Sequence, residues 1–248
     1  MNTERCTQGG EPGKIKHRLR LAARYSLRIV LTSTLLAACA LPGVPYRSVY
    51  EDPVNYIRLE QDQTVLPEWP PSAHAHPITM PVEDLTRLLG GISVRVHRIW
   101  LQTWLQGEAP LEPAFRPEEL ALLSRQLAAA LVEVQVDERV IFYLSQPQTS
   151  VKRIITSGGF YRHGTELHFT LGNWQVQYGI PTYGMIYDWR YPLRAIAAKG
   201  FDVLFDPSDA VVAQHHSFLD IVLANATDEL VIDLTKIVSS PVASRVEH

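Results

Sequence analysis

The chain has 248 residues, of which 46% are hydrophobic, with 17 prolines and 2 cysteines, a composition that fits a globular protein and excludes a fibrous or low-complexity one. The formal charge of −3 hides a division: residues 1–38 carry seven Lys/Arg against two acids, and residues 39–248 carry sixteen against twenty-four. An acidic body lacks the clustered cations that a nucleic-acid backbone requires, so no nucleic-acid partner is expected.

The first element is "IVLTSTLLAACA", residues 29–40, preceded by Arg5, Lys14, Lys16, Arg18, Arg20, Arg24 and Arg28. Its apolar core, Ile29 to Ala38, is ten residues long. As a helix it would rise about 15 Å, half of the ~30 Å hydrocarbon thickness, so it is too short to span a bilayer. A basic region, a short apolar run and small residues, in that order, read as an export signal.

The last four residues of the run, Leu36-Ala37-Ala38-Cys39, resemble the lipobox of bacterial lipoproteins: Leu, a small residue, Ala or Gly, then Cys. The resemblance covers the leader alone, and for the mature domain no family is recognised. It implies cleavage between Ala38 and Cys39, diacylation of the Cys39 sulfur with fatty acids such as palmitate, and a membrane partner reached through those acyl chains. Small side chains at Ala37 and Ala38 let the chain extend into a protease cleft. Two acyl chains, at roughly 0.8 kcal/mol per buried CH₂, make a durable anchor where one is marginal. One departure from the pattern is the basic region, 28 residues long. Ala40, where an Asp would favour retention in the inner membrane, points to the outer membrane. Cys6 leaves with the leader, so the mature protein is expected to have no free thiol.

Residues 39–80 are expected to form a Pro-rich tether and extended segment. Eight prolines fall between 40 and 81, and Tyr46, Val49, Tyr50, Val54, Tyr56, Ile57 and Leu59 make the stretch too apolar for a solvated linker. It should lie along the domain. A single domain is placed at 81–237 and a flexible tail at 238–248. "MPVEDLTRLLGG" reads as a helix, with Pro81 at its start, Glu83 and Asp84 in the first turn and Gly90 at its stop. "ISVRV" alternates as a strand. Trp100, Leu101, Trp104 and Leu105 then have helical spacing, which leaves 97–105 open between helix and strand. "RPEELALLSRQLAAALVEV" is a helix with a stripe of Leu120, Leu123, Leu127, Ala130, Leu131 and Val134.

From Arg139 the pattern turns to strands: "RVIFYL", "KRIITSGGFYR", "ELHFTLGNWQVQYG", "MIYDWRY", "FDVLF" and "ELVIDL". His163-Gly164 marks a tight hairpin, Gly158-Gly159 a bulge or kink, and "HHSFLDIVLANA" a short helix. Helices early and strands late predict an α+β fold, with a largely antiparallel sheet in the C-terminal half and N-terminal helices packed on it.

No catalytic residue, cofactor site or metal site is assigned. His74 with His76, and His215 with His216, read as solvated loop histidines, since neither pair has a cysteine or a carboxylate at ligand spacing. Ser157 lacks the G-x-S-x-G elbow of a nucleophile. His168 reads as a half-buried strand residue. In "NWQVQYGIPTYGMIYDWRY", Trp174, Val176 and Tyr178 are expected on one strand face with Gln175 and Gln177 on the other, and Tyr187, Trp189 and Tyr191 on a face of the next run. Aromatics at period two usually pack a core, though such a row also suits stacking on sugar rings. The expectation is therefore a lipid-anchored envelope protein, a non-enzymatic interaction or assembly component with an envelope protein or glycan as partner. The alternatives are a binder of peptidoglycan or surface polysaccharide, and a periplasmic hydrolase whose site no motif announces.

Overall fold

The computed structural model describes residues 43–65, 73–179, 191–193, 199–212 and 229–238. Within them the chain is α+β. A six-stranded antiparallel sheet has the order β1-β2-β5-β6-β7-β9, and a three-stranded antiparallel sheet has the order β4-β3-β8. The strands are β1 (Tyr46–Glu51), β2 (Tyr56–Gln61), β3 (Ile92–Val96), β4 (Glu112–Pro113), β5 (Glu138–Thr149), β6 (Lys152–His163), β7 (Glu166–Gly179), β8 (Phe201–Phe205) and β9 (Glu229–Asp233). The helices are α1 (Val82–Gly90), α2 (Trp100–Gln106), α3 (Pro117–Glu133) and α4 (Leu234–Val238).

Residues 46–61, expected to lie extended along the domain, form the first two strands of the large sheet. Their turn is built by Asp52, whose Oδ1 accepts the backbone N–H groups of Val54 and Asn55, both at 2.7 Å. Pro53 fixes the turn's φ, and the free hairpin edge is tied down by Arg47, which donates to both carboxylate oxygens of Glu138 at 2.9 and 2.6 Å.

α1 and α3 bury Leu85, Leu88 and Leu89, and Leu123, Leu127, Ala130 and Leu131, in one core with the sheet residues Ile57, Leu59, Val140, Phe142, Leu144, Phe160, Phe169 and Leu171. Ile92, Val94, Phe201 and Phe205 of the small sheet join the same core, so helices and small sheet share one face of the large one. At the start of α3, Glu119 reaches back to accept the Arg116 N–H at 3.0 Å, satisfying a donor the helix cannot. β5 outruns the predicted six-residue run because its ladder with β6 continues past Leu144, from Ser145 opposite Ile155 to Thr149 opposite Lys152.

The opposite face is covered in part by the backbone of residues 191–193. A Cβ added to Gly172 would meet the Leu193 carbonyl oxygen at 2.6 Å, and one added to Gly159 would meet Ile141 Cδ1 at 2.5 Å and Leu193 Cδ2 at 3.3 Å. The register shifts between Ser157 and Gly158, but the extra residue is Gly172 on β7, and Gly158 and Gly159 themselves pair regularly with Leu171 and Thr170 rather than forming the expected bulge. Gly164, with φ +57°, opens the two-residue turn between β6 and β7, where a type II′ hairpin places glycine.

Candidate interaction surfaces

Cys39 and all of residues 1–38 lie outside the described residues, as do Tyr187, Trp189, His215, His216 and, Tyr191 apart, the run 185–191 read as a strand. The described chain begins at Gly43, and β1 starts at Tyr46, seven residues after Cys39.

Between β3 and β4 the chain makes an excursion that carries α2. Every residue of this seven-residue helix is exposed, and none is charged. Trp100 and Trp104, one turn apart, are 79% and 78% exposed, and Ile99, Leu101, Leu105 and Leu111 are exposed around them. Successive residues of a helix turn by 100°, which places Trp100, Leu101, Trp104 and Leu105 on one side and Gln102, Thr103 and Gln106 on the other. The two indoles alone leave roughly 300–400 Å² in water, and with the neighbouring leucines the patch passes the several hundred Å² usual for a soluble monomer. The helix is held from below. Arg98 donates to the Gly107 carbonyl at 3.0 Å, Arg95 pairs with Glu108 at 2.6 Å, and His97 meets Asp202 of β8 at 2.8 Å. At the foot of the excursion a groove of about 240 Å³ is lined by Val96, Trp174, Val176, Lys199 and Phe201. The helical spacing of the two tryptophans was readable in the sequence. That the apolar side has no cover among the described residues was not, because spacing says nothing about what a face meets.

The aromatic row of β7 is arranged differently from the alternation expected. The register slips between the Ile155–Val176 and Ser157–Asn173 pairs, and Gln175 has φ +47°. This bulge puts Val176 and Tyr178 on the face of Asn173, opposite Trp174. Trp174 there packs against Phe201 and donates its indole N–H to the Ala114 carbonyl at 3.1 Å. Tyr178 instead lines a pocket of about 310 Å³ with Asp52, Asn55, Tyr56, Arg58, Tyr143 and Arg153. Tyr56 and Tyr143 stack at 5.0 Å, and the Arg58 guanidinium lies between the rings of Tyr46 and Tyr56, at 4.1 and 3.7 Å from their centroids. Burial pushes the Tyr56 hydroxyl well above the ordinary tyrosine range and also raises that of Tyr143. Burial also works against ionisation of Asp52, but hydrogen bonds from Tyr50, Asn55 and the turn amides outweigh it and lower its pKa. The sequence reading passed over Tyr56 and Arg58. The alternation of Ile57, Arg58, Leu59 and Glu60 after Asp52-Pro53 was the available signal for a strand presenting them.

His74 and His76, expected to be solvated, are buried at 5% and 6% exposure. Their segment runs beside β6, with the Ala75 N–H donating to the Arg162 carbonyl at 2.7 Å and the Arg162 N–H donating to His76 Nε2 at 3.3 Å. His74 Nε2 lies 3.1 Å from Asp62 Oδ2, while Asp62 Oδ1 accepts the N–H and hydroxyl of Thr64. Burial opposes the Asp62 charge, but those bonds and Arg139 hold the carboxyl well below its usual range. Burial, with His74 and Arg162 nearby, drives His76 down to about 4. The cluster continues through Tyr161, stacked 4.6 Å from His168, whose Nδ1 lies 3.1 Å from Glu229. His168 is half-buried in β7, as expected. Each histidine Nε2 of the 74/76 pair faces a different protein partner, and no group of three or more potential ligands converges among the described residues. Ser157 is buried, donating to the Pro192 carbonyl at 2.5 Å and accepting from Asn173 at 2.9 Å, which gives its hydroxyl a structural role.

No family model, curated protein or solved structure matches the chain.

Proposed function

We propose that the protein is a lipid-anchored component of a bacterial cell envelope, held by acyl chains on Cys39 and acting through surface contacts as an interaction or assembly component. The anchor reading rests on the order of parts in residues 14–39 and on the small residues before the thiol. The observation that carries the interaction reading is α2, which holds Trp100 and Trp104 almost entirely in solvent. A soluble domain keeps such a surface when something apolar covers it in use. The outer membrane is the proposed location, on the strength of Ala40. A photoreactive side chain placed at Trp104 tests the reading in intact cells: adducts with an envelope component support it, and a clean absence of adducts at full expression contradicts it.

A second reading, a glycan-binding lipoprotein, is favoured by the pocket at Tyr56, Tyr143 and Tyr178. Its volume of about 310 Å³ suits a sugar ring, and Arg58, Arg153, Asn55 and Asp52 supply polar groups beside aromatic walls. Co-sedimentation with insoluble peptidoglycan that is lost on Tyr178→Ala would support it, and equal sedimentation of both proteins would set it aside.

A further inference from the structure

We propose that the apolar side of α2 lies in the headgroup layer of the bilayer that holds the anchor, which makes it a second, non-covalent membrane contact. This rests on the reading of Cys39 as the lipid-bearing residue and names what covers the patch.

Three observations favour a bilayer as the occupant. First, the chemistry of the helix is interfacial. Trp100 and Trp104 pair a large apolar ring with one N–H donor, the combination that settles at the boundary between hydrocarbon and water, and Leu101 and Leu105 extend the apolar side between and beyond them. Gln102, Thr103 and Gln106 give a polar, uncharged opposite side. Second, the helix protrudes. It buries no residue of its own, so it can sink into a soft medium without a matching groove, and the groups at its base, Arg95, Arg98, His97, Glu108 and Asp202, are already engaged with one another and with the backbone. Third, the tether is short. Seven residue steps separate Cys39 from the first strand, at most roughly 25 Å of extended chain, so an anchored domain is confined beside its own membrane at a high effective concentration. A short interfacial helix that would bind weakly as a free molecule is then held in place. The charges around α2 cancel one another, so the contact should be apolar in character and insensitive to salt.

The test uses the lipidated protein purified from membranes and reconstituted into vesicles of phosphatidylethanolamine and phosphatidylglycerol, with or without phosphatidylcholine brominated on its acyl chains. Tryptophan emission is expected to drop in brominated vesicles, equally at low and high salt. In Trp100→Phe/Trp104→Phe that drop should disappear while the protein still floats with the vesicles. Equal quenching in the parent and the double variant overturns the proposal. So does an absence of quenching in the parent, which would assign the patch to a protein partner, a second copy or another segment of this chain. Flotation separates the two readings: a protein that fails to float has lost the anchor claim, whereas one that floats without quenching has lost only the α2 claim. Circular dichroism of the double variant guards against misfolding, which exposure of every α2 side chain makes a minor concern.

Discussion

Gly172 and His76 each hold a position that another residue type would disturb, for unrelated reasons. At Gly172 the backbone of Leu193 crosses so closely that a methyl group would overlap its carbonyl. Gly172→Ala should therefore cost about 1–3 kcal/mol, seen as a lowered urea midpoint with an unchanged slope. The sequence presents this glycine without its reason, because the clash is with a chain twenty-one residues away. His76 acts through protons. Its folded-state value of about 4 lies below the 6.5 of an unfolded histidine, so between those values the unfolded chain takes up a proton that the fold refuses. Stability is then full above about pH 6.5 and should fall as the pH drops towards 4, by a loss on the order of 2–3 kcal/mol. Asp62, with its lowered pKa, adds a further loss at more acidic pH as it is protonated. Urea titrations across this range should give a profile that His76→Gln flattens between pH 6.5 and 4. An unchanged profile in the variant would assign the acid sensitivity elsewhere.

At the scale of elements, α2 is the one whose sequence and surroundings disagree: its spacing is that of an amphipathic helix, yet its apolar side has no partner among the described residues. Trp100→Gln/Trp104→Gln should shift unfolding free energy by no more than about 0.5 kcal/mol, because no buried contact is lost. The same variant should reduce self-association of delipidated protein in sedimentation velocity runs. A large destabilisation would mean that the helix is packed rather than presented. Elements whose signals are local were legible in the sequence. α1 announces itself through Pro81 and Gly90, α3 through its leucine stripe, and the β6–β7 hairpin through Gly164. The β1–β2 hairpin was legible only in part, because the proline density around it dominated while Asp52-Pro53 carried the turn. The parting of Trp174 from Val176 and Tyr178 was not legible, since a one-residue bulge at Gln175 exchanges the faces of everything beyond it and leaves no compositional trace. The burial of His74 and His76 escaped for a related reason, as it depends on β6 extending past β5 to offer an edge.

For the molecule as a whole, charge and apolar surface are unevenly divided. A basic N-terminal segment is followed by an acidic body that carries an uncharged apolar helix, and the first strand begins seven residues after the proposed point of attachment. Replacing Cys39 by serine should remove the proposed site of diacylation and processing together. Cys39→Ser is expected to leave either an uncleaved chain that retains residues 1–38 or protein released from the membrane fraction, resolved by immunoblotting of fractionated cells. The pocket at Tyr56 and Tyr178 and the α2 patch are separate surfaces, so loss of one by substitution should leave the function of the other intact. If Cys39 is the acylated first residue of the mature protein, mass spectrometry of the N-terminal peptide from membrane-purified protein will show it. The expected peptide begins at Cys39 and carries a thioether-linked diacylglyceride, and no peptide from residues 1–38 is found. A mature protein with an unmodified Cys39 thiol, or one that begins elsewhere, would contradict it.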